Sequence, residues 1–105
     1  MKTNLGVALA VAALAMTASS RAFADAAAEY KNKCAMCHGK TGAGDTIMGK
    51  NMRVRNFASA EVQGQSDAEL AMIIAKGKGK MPAQENKLSK PQIEDLVRWI
   101  RTLKK

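Results

Sequence analysis

Along the chain, stretches with a helical period alternate with stretches that have none. Asp25–Cys37 holds no Pro or Gly and is rich in helix formers, and Ala26 and Tyr30 fall one turn apart on one face. Gly39–Gly64 breaks the pattern with glycines at 39, 42, 44, 49 and 64 and apolar residues at no steady spacing. It predicts a long loop with a helical turn near Ser59–Val62. Ser66–Lys76 reads as a helix: Ser66 and Glu69 form a capping box, and Leu70, Ile73, Ile74 and Met72 an apolar stripe. Gly77 stands where a helix ends. Lys78–Lys87 is again loop and contains Met81-Pro82. A last helix starts at Ser89. Ser89 and Gln92 make a second capping box, Leu88 and Ile93 a hydrophobic staple, and Pro91 sits in the first turn, where its missing N–H costs nothing. Ile93, Leu96, Val97, Ile100 and Leu103 then recur at three and four. No segment alternates with period two. The expected fold class is all-α, with three to four short helices around a loop-rich middle.

The amino-terminal segment has a different character. Leu5–Met16 is apolar apart from Gly6, follows Lys2, and leads into the small, polar Thr17–Ala24, which ends Ala22-Phe23-Ala24. That order is a secretory signal with an A-x-A cleavage site, and the run is short of the roughly 20 residues a spanning helix needs. The expected organisation is a cleaved signal at residues 1–24 and one domain at 25–105. The expected location is periplasmic, with no stable membrane insertion after cleavage.

Composition narrows the reading. The chain has 105 residues with a formal charge of +8, two Cys and one His. That excludes a multidomain machine, a disulfide scaffold and a four-ligand Cys/His zinc site. Removing the signal takes Lys2 and Arg21 and no acid, so the remainder stays strongly basic. Its aromatic residues are Tyr30, Phe57 and Trp99. A domain this small is marginal without a staple, a metal or a cofactor. A long loop inside it is the mark of a chain that wraps something.

Both Cys and the only His fall in five consecutive residues, Cys34-Ala35-Met36-Cys37-His38. C-x-x-C-H is the attachment motif for c-type haem. Two thiols three positions apart project from one side of a helical turn and can reach the two vinyl groups on one porphyrin edge. The next residue then offers an imidazole to the iron. A thioredoxin-type pair needs a βαβ setting that this chain lacks, and a disulfide across so small a loop adds little. A haem-free dithiol protein is the residual alternative on this motif. For the far side of the iron the candidates are Met36, Met48, Met52, Met72 and Met81. Met36 lies within the attachment turn, Met72 reads as core, and Met48 and Met52 read as pocket lining. Met81, on a loop pinned by Pro82, is the expected ligand. His/Met ligation fills both axial sites and raises the potential.

With these residues in view, the chain resembles the small monohaem class I cytochromes c. The carriers are Cys34–Gly39, Thr41-Gly42-Ala43-Gly44-Asp45, Lys80-Met81-Pro82-Ala83 and Trp99–Leu103. The resemblance implies one haem c joined through thioethers at Cys34 and Cys37, with His38 and Met81 as metal ligands. It also implies close crossing of the terminal helices at Ala26, Tyr30 and Trp99. In place of the family's Pro after the Gly-Asp loop stands Thr46-Ile47-Met48-Gly49; a backbone carbonyl, which can come from any residue, is still expected to take the His38 Nδ1–H.

Basic residues gather at Lys31, Lys33 and Lys40, at Lys50, Arg53 and Arg55, and at Lys76, Lys78 and Lys80. Two of these groups bracket the residues expected to frame the haem edge, and such a ring would steer acidic redox protein partners. Arg53 or Arg55 is a candidate for a haem propionate. Aromatic interleaving for single-stranded nucleic acid is missing, so no nucleic acid is expected. A monomer is expected, and the resemblance implies a quinol-oxidising complex or a dehydrogenase as donor and an oxidase or reductase as acceptor. The leading expectation is a one-electron carrier and not an enzyme. The alternative is a five-coordinate haem protein that senses a gas or acts as a peroxidase.

Overall fold

A computed structural model describes residues 21–104. The apolar run Leu5–Met16 and all but the last four residues of the expected signal lie outside the described residues. Within them the chain is all-helical, with no β-strand and a single isolated bridge between Lys78 and Met81. Helix α1 covers 21–33 and buries Ala26 and Tyr30. The chain turns at Cys34 and resumes as α2, Ala35–His38. The break is slight: Cys34 N–H still donates to Tyr30 O (2.8 Å), and His38 N–H to Cys34 O (3.0 Å). The predicted first helix is thus two nearly continuous pieces.

The glycine-rich stretch holds a helix that its pattern does not show: α3, Ile47–Met52. Thr46 caps it by accepting from Gly49 N–H (2.8 Å), and the same hydroxyl donates to Cys37 O (3.0 Å). The reason α3 is invisible to periodicity lies in its contact face, which is the buried Gly49. None of its apolar side chains is buried, and Ile47 is 84% exposed. A Cβ on Gly49 would collide with Cys37 O and lie 2.8 Å from Gly44 O, so only a glycine lets α3 lie against the α2 backbone.

The expected turn near Ser59–Val62 is α4, Ala60–Gln63, capped by Ser59. Helix α5, Asp67–Lys76, forms where predicted, with half of its capping box: Ser66 Oγ accepts from Glu69 N–H (3.0 Å). Acids in its first turn and Lys76 in its last suit the helix dipole. Helix α6, Lys90–Arg101, has the full box, Gln92 N–H to Ser89 Oγ (3.3 Å) and Ser89 N–H to Gln92 Oε1 (2.8 Å). Among the described residues six helices therefore stand where three to four were expected, and three of them are short segments inside or beside the predicted loop.

The core joins α1, α4, α5 and α6 through Tyr30, Val62, Leu70, Ile74, Leu96 and Ile100, with Leu88, Ile93 and Val97 beside them. The rings of Tyr30 and Trp99 lie 4.1 Å apart at 36°, where the terminal helices were expected to cross. Met72 does not join the core as predicted. It is 64% exposed, because Leu70 and Ile74 fix the inward face of α5 and position 72 falls opposite. Arg101 fastens α6 to the segment between α4 and α5, donating to Asp67 Oδ1 (2.9 Å), Gln63 O (3.0 Å) and Gln65 O (2.5 Å). Among the described residues no helix is long and apolar enough to cross a membrane.

Gly49→Ala forces α3 away from α2 and is expected to lower stability by about 1–3 kcal/mol, the range for overpacking. Denaturant unfolding of the purified protein measures it. Ile47→Ala, on the exposed face of the same helix, serves as the near-neutral comparison.

Candidate functional site

The helices leave a cavity of about 540 Å³ beside the core. That is within the roughly 300–1,000 Å³ of small-molecule and cofactor pockets. Cys34, Cys37 and His38 enter it from α2, and Met81 enters it from the loop between α5 and α6. Val62, Leu70, Ile74 and Ile100 belong both to its wall and to the core. All four residues expected at the site therefore line one apolar space. Met48 and Met52 line it as well, as expected, but both stay more than a third exposed. Met36 is 72% exposed and Met72 lies elsewhere, so neither competes.

Met81 is placed by the backbone. Its N–H donates to Lys78 O (2.9 Å) and its carbonyl accepts from Lys78 N–H (3.2 Å), closing a tight turn. Gly77 makes the turn possible: its φ is +78°, and a Cβ there would lie 2.5 Å from Met81 O.

His38 departs from expectation. Its Nδ1 is buried with no hydrogen-bond partner, so no backbone carbonyl takes the Nδ1–H. The stretch Thr46–Gly49, which stands where the family's Pro would fall, opens α3. Thr46 O accepts from Lys50 N–H (2.9 Å), and Gly49 O from Val54 N–H (3.0 Å). The imidazole is held by packing: it stacks on Phe57 with ring centroids 4.5 Å apart at 28°. Phe57 is itself fixed by its N–H to Gly42 O (2.8 Å) and by Gln63 Nε2 to its carbonyl (2.7 Å). Tyr30 meets Phe57 edge-on at 6.2 Å, and its hydroxyl donates to Gly39 O (2.5 Å).

Burial decides the protonation of the site. It lowers the His38 pKa, which keeps the imidazole neutral and able to bind a metal at neutral pH. It pushes the Cys34 thiol up to about 11, against the smaller opposing effect of Lys33. Disulfide-exchange cysteines have depressed values, and burial moves Cys34 in the opposite direction. Among the described residues no group of three or more His, Cys, Asp and Glu could hold a metal ion by itself.

Lys33, Arg53, Arg55, Lys78 and Lys80 line the cavity, and no Asp or Glu does. Both propionate candidates, Arg53 and Arg55, are thus at the site, although Arg55 also reaches Glu61 (3.2 Å) in an exposed pair. Lys31, Lys40, Lys50 and Lys76 are not part of the wall, and Lys76 pairs with Glu85 (2.8 Å). Sequence reasoning missed Gln65 and Gln84 as lining residues. No residue pattern marks either, since both sit in irregular segments. A second groove, of about 760 Å³ between α5 and α6, carries no thiol or imidazole.

A thiol pair, a neutral imidazole and a thioether around an apolar space fit a covalently held haem, and the buried, unpaired His38 Nδ1 marks an imidazole whose hydrogen bonding the protein leaves incomplete. The comparisons agree. A family model described as "Cytochrome C oxidase, cbb3-type, subunit III" matches residues 21–100. Among solved structures the chain is similar to "KustC0563 c-type cytochrome", with 32% identity, a TM-score of 0.70, and coverage of 75% of this chain and 96% of that one. No curated protein matches. The two cysteines in C-x-x-C spacing thus form a candidate haem c attachment site.

Phe57→Ala removes the only ring stacked on His38 and is expected to cost about 3 kcal/mol, the low end for such truncations because the ring is half-buried. Phe57→Leu, closer in volume, is expected to cost less than about 1.5 kcal/mol. Chemical denaturation of both variants checks the order.

Proposed function

The chain belongs to the family described as cytochrome c oxidase, cbb3-type, subunit III, and from that premise we propose that it is a one-electron carrier built around a single haem c. The observation that carries the reading is the convergence of Cys34, Cys37, His38 and Met81 on one apolar cavity. In it Cys34 and Cys37 hold the haem through thioethers, His38 binds the iron from α2, and Met81 binds it from the α5–α6 loop. When bound, the haem supplies one reversible electron through its iron, between the ferric and ferrous states.

The residues of the chain do the rest. Phe57 keeps the His38 ring oriented, and the Lys78–Met81 turn keeps the thioether in place. The apolar wall excludes water, and a thioether, being a soft donor, favours the ferrous state and raises the potential. The competing five-coordinate reading, a gas sensor or peroxidase, needs an open face on the iron. What speaks against it is Met81, pinned at the cavity by its own backbone. The proposal includes export: residues 1–24 act as a cleaved signal and the mature domain works in the periplasm.

The proposed partners are acidic redox proteins. The cavity wall carries five basic residues and no acid, and the outer faces of α2 and α3 add exposed Met36 and Ile47. A basic surface of this kind speeds encounter at low salt.

Two outcomes are expected. Protein matured in a host with haem-attachment enzymes has an intact mass of polypeptide plus one haem, whereas Cys34→Ala/Cys37→Ala has the bare mass. The oxidised protein shows a weak far-red charge-transfer band that Met81→Ala abolishes. A high-spin ferric spectrum in the unsubstituted protein would select the five-coordinate reading. Electron exchange with an acidic redox protein is also expected to slow as salt rises through the range where the Debye length falls from about 30 Å to about 8 Å. Stopped-flow rates across ionic strength measure this.

A further inference from the structure

Helix α5 lacks the polar outer face that a surface helix normally has. Between Glu69 and Lys76 it runs Leu70-Ala71-Met72-Ile73-Ile74-Ala75, without one polar side chain. Leu70, Ile73 and Ile74 line the cavity that holds His38 and Met81. Ala68, Ala71, Met72 and Ala75, spaced by three and four, line the groove of about 760 Å³ between α5 and α6 instead. No residue lines both spaces. On the α6 side the groove has buried Ile93 and Val97 as its floor and exposed Lys90, Glu94 and Arg98 as its rim. Met72 stands at this groove 64% exposed. It is an unbranched, polarizable side chain of the kind that binding surfaces use.

The charge of this face sets it apart. Asp67, Glu85 and Glu94 stand around the groove against Lys76, Lys90 and Arg98, three of each sign. The chain as a whole carries +8, and the wall of the other cavity has five bases and no acid. An acidic protein is drawn to that basic wall. Two copies of so basic a chain repel one another through it, and meet without net charge only at a balanced face such as this one. The charges of α5 are also self-complementary: Asp67 is its first residue and Lys76 its last. Their pairs with Arg101 and Glu85 leave both side chains mostly exposed and able to take a second partner.

We propose that the α5–α6 groove is the interface of a two-fold dimer, in which α5 of one copy lies antiparallel on α5 of a second copy and each Met72 enters the other's groove. In that register the axis passes between residues 71 and 72. Met72 meets the small Ala71 of the second copy, Ala68 meets Ala75, and Asp67 meets Lys76, each contact occurring twice. The alanines leave the room that the thioether fills. Exposed ion pairs add little attraction; their part is to fix register and orientation, and the apolar contact supplies the driving force. One helix pair makes a small interface, so the dimer forms and dissociates with protein concentration. This departs from the monomer expected from the sequence. It leaves the basic wall of each copy open to a redox partner, and it is independent of which side chains bind the iron.

The test uses the mature, haem-loaded protein in sedimentation equilibrium from about 10 μM to about 1 mM, a range that covers weak association. The average mass is expected to rise toward that of two chains. Met72→Glu sets two carboxylates at the axis and is expected to weaken association about tenfold or more. Met72→Ala removes the inserted side chain without adding charge, is expected to weaken association as well, and covers the case where Met72→Glu does not fold. Asn51→Glu adds the same charge on α3, at an exposed position that lines neither space, and is expected to leave association unchanged. A second measurement locates the axis. With Cys34 and Cys37 held in thioethers, as intact mass verifies, Met72→Cys supplies the only thiol. A short bis-maleimide is expected to join two such chains much faster than two Asn51→Cys chains. A single-chain mass across the whole range would overturn the proposal, as would a dimer that Met72→Glu and Met72→Ala leave intact. Equal cross-linking at positions 72 and 51 would overturn it too. So would a protein that stays single while Met72→Glu slows electron exchange with an acidic redox protein, since that assigns the groove to the redox partner.

Discussion

The fold depends on apolar side chains that serve two surfaces at once. Val62, Leu70, Ile74 and Ile100 close the core on one side and face the cavity on the other. Among the described residues only ten apolar side chains are buried, and one of them is Ala26. Burial stabilises by about 25 cal/mol per Å², and a wall that ends in a void loses contacts on one side. A group that fills the cavity therefore adds to folding and to function by the same contacts. Anything that binds the native state alone stabilises it by mass action, and a covalent link makes that gain permanent.

The second constraint is the close approach of backbone to backbone at Gly49. Because α3 meets α2 without a side chain between them, Thr46 can cap α3 and bond to Cys37 O with one hydroxyl. The position of the attachment turn is thereby tied to a helix that touches little else. The consequence reaches His38. The carbonyls of Thr46 and Gly49 accept from Lys50 N–H and Val54 N–H, and the imidazole is left to aromatic packing on Phe57. An N–H bond to a carbonyl or carboxylate usually raises the basicity of a metal-bound His. Without such a bond His38 would be a weaker donor to a metal than an imidazole that has one.

Much of this was legible in the amino-acid order, for identifiable reasons. Helices α5 and α6 carry caps and a regular apolar stripe, both local signals, and they form where the signals lie. C-x-x-C-H is a contiguous motif, and Met81 stands beside a proline between two well-marked helices; the fold brings all four side chains to one cavity. Helix α3 was not legible, because its packing face is a glycine and its Ile47 looks outward. Met72 misled because a stripe of four apolar residues does not say which of them the tertiary contacts select. Gln84 gave no signal: a polar residue in a loop next to Glu85 reads as solvated until the fold buries it.

Unsatisfied polar atoms carry the last piece of information. Among the described residues, two side-chain atoms are buried with no hydrogen bond, His38 Nδ1 and Gln84 Oε1, and both residues line the one cavity. Elsewhere the same chain satisfies its polar groups closely. Gln63 bonds to two carbonyls, Arg101 to two carbonyls and a carboxylate, and Tyr30 to Gly39 O. A sequence that caps four helices with a Ser or Thr side chain does not leave donors and acceptors bare through poverty of means. Each orphan costs on the order of 1–3 kcal/mol, a large share of the 5–15 kcal/mol by which a domain is stable. Their confinement to the walls that bear His38 and Met81 marks the cavity as the part of the molecule whose bonding the polypeptide does not complete alone.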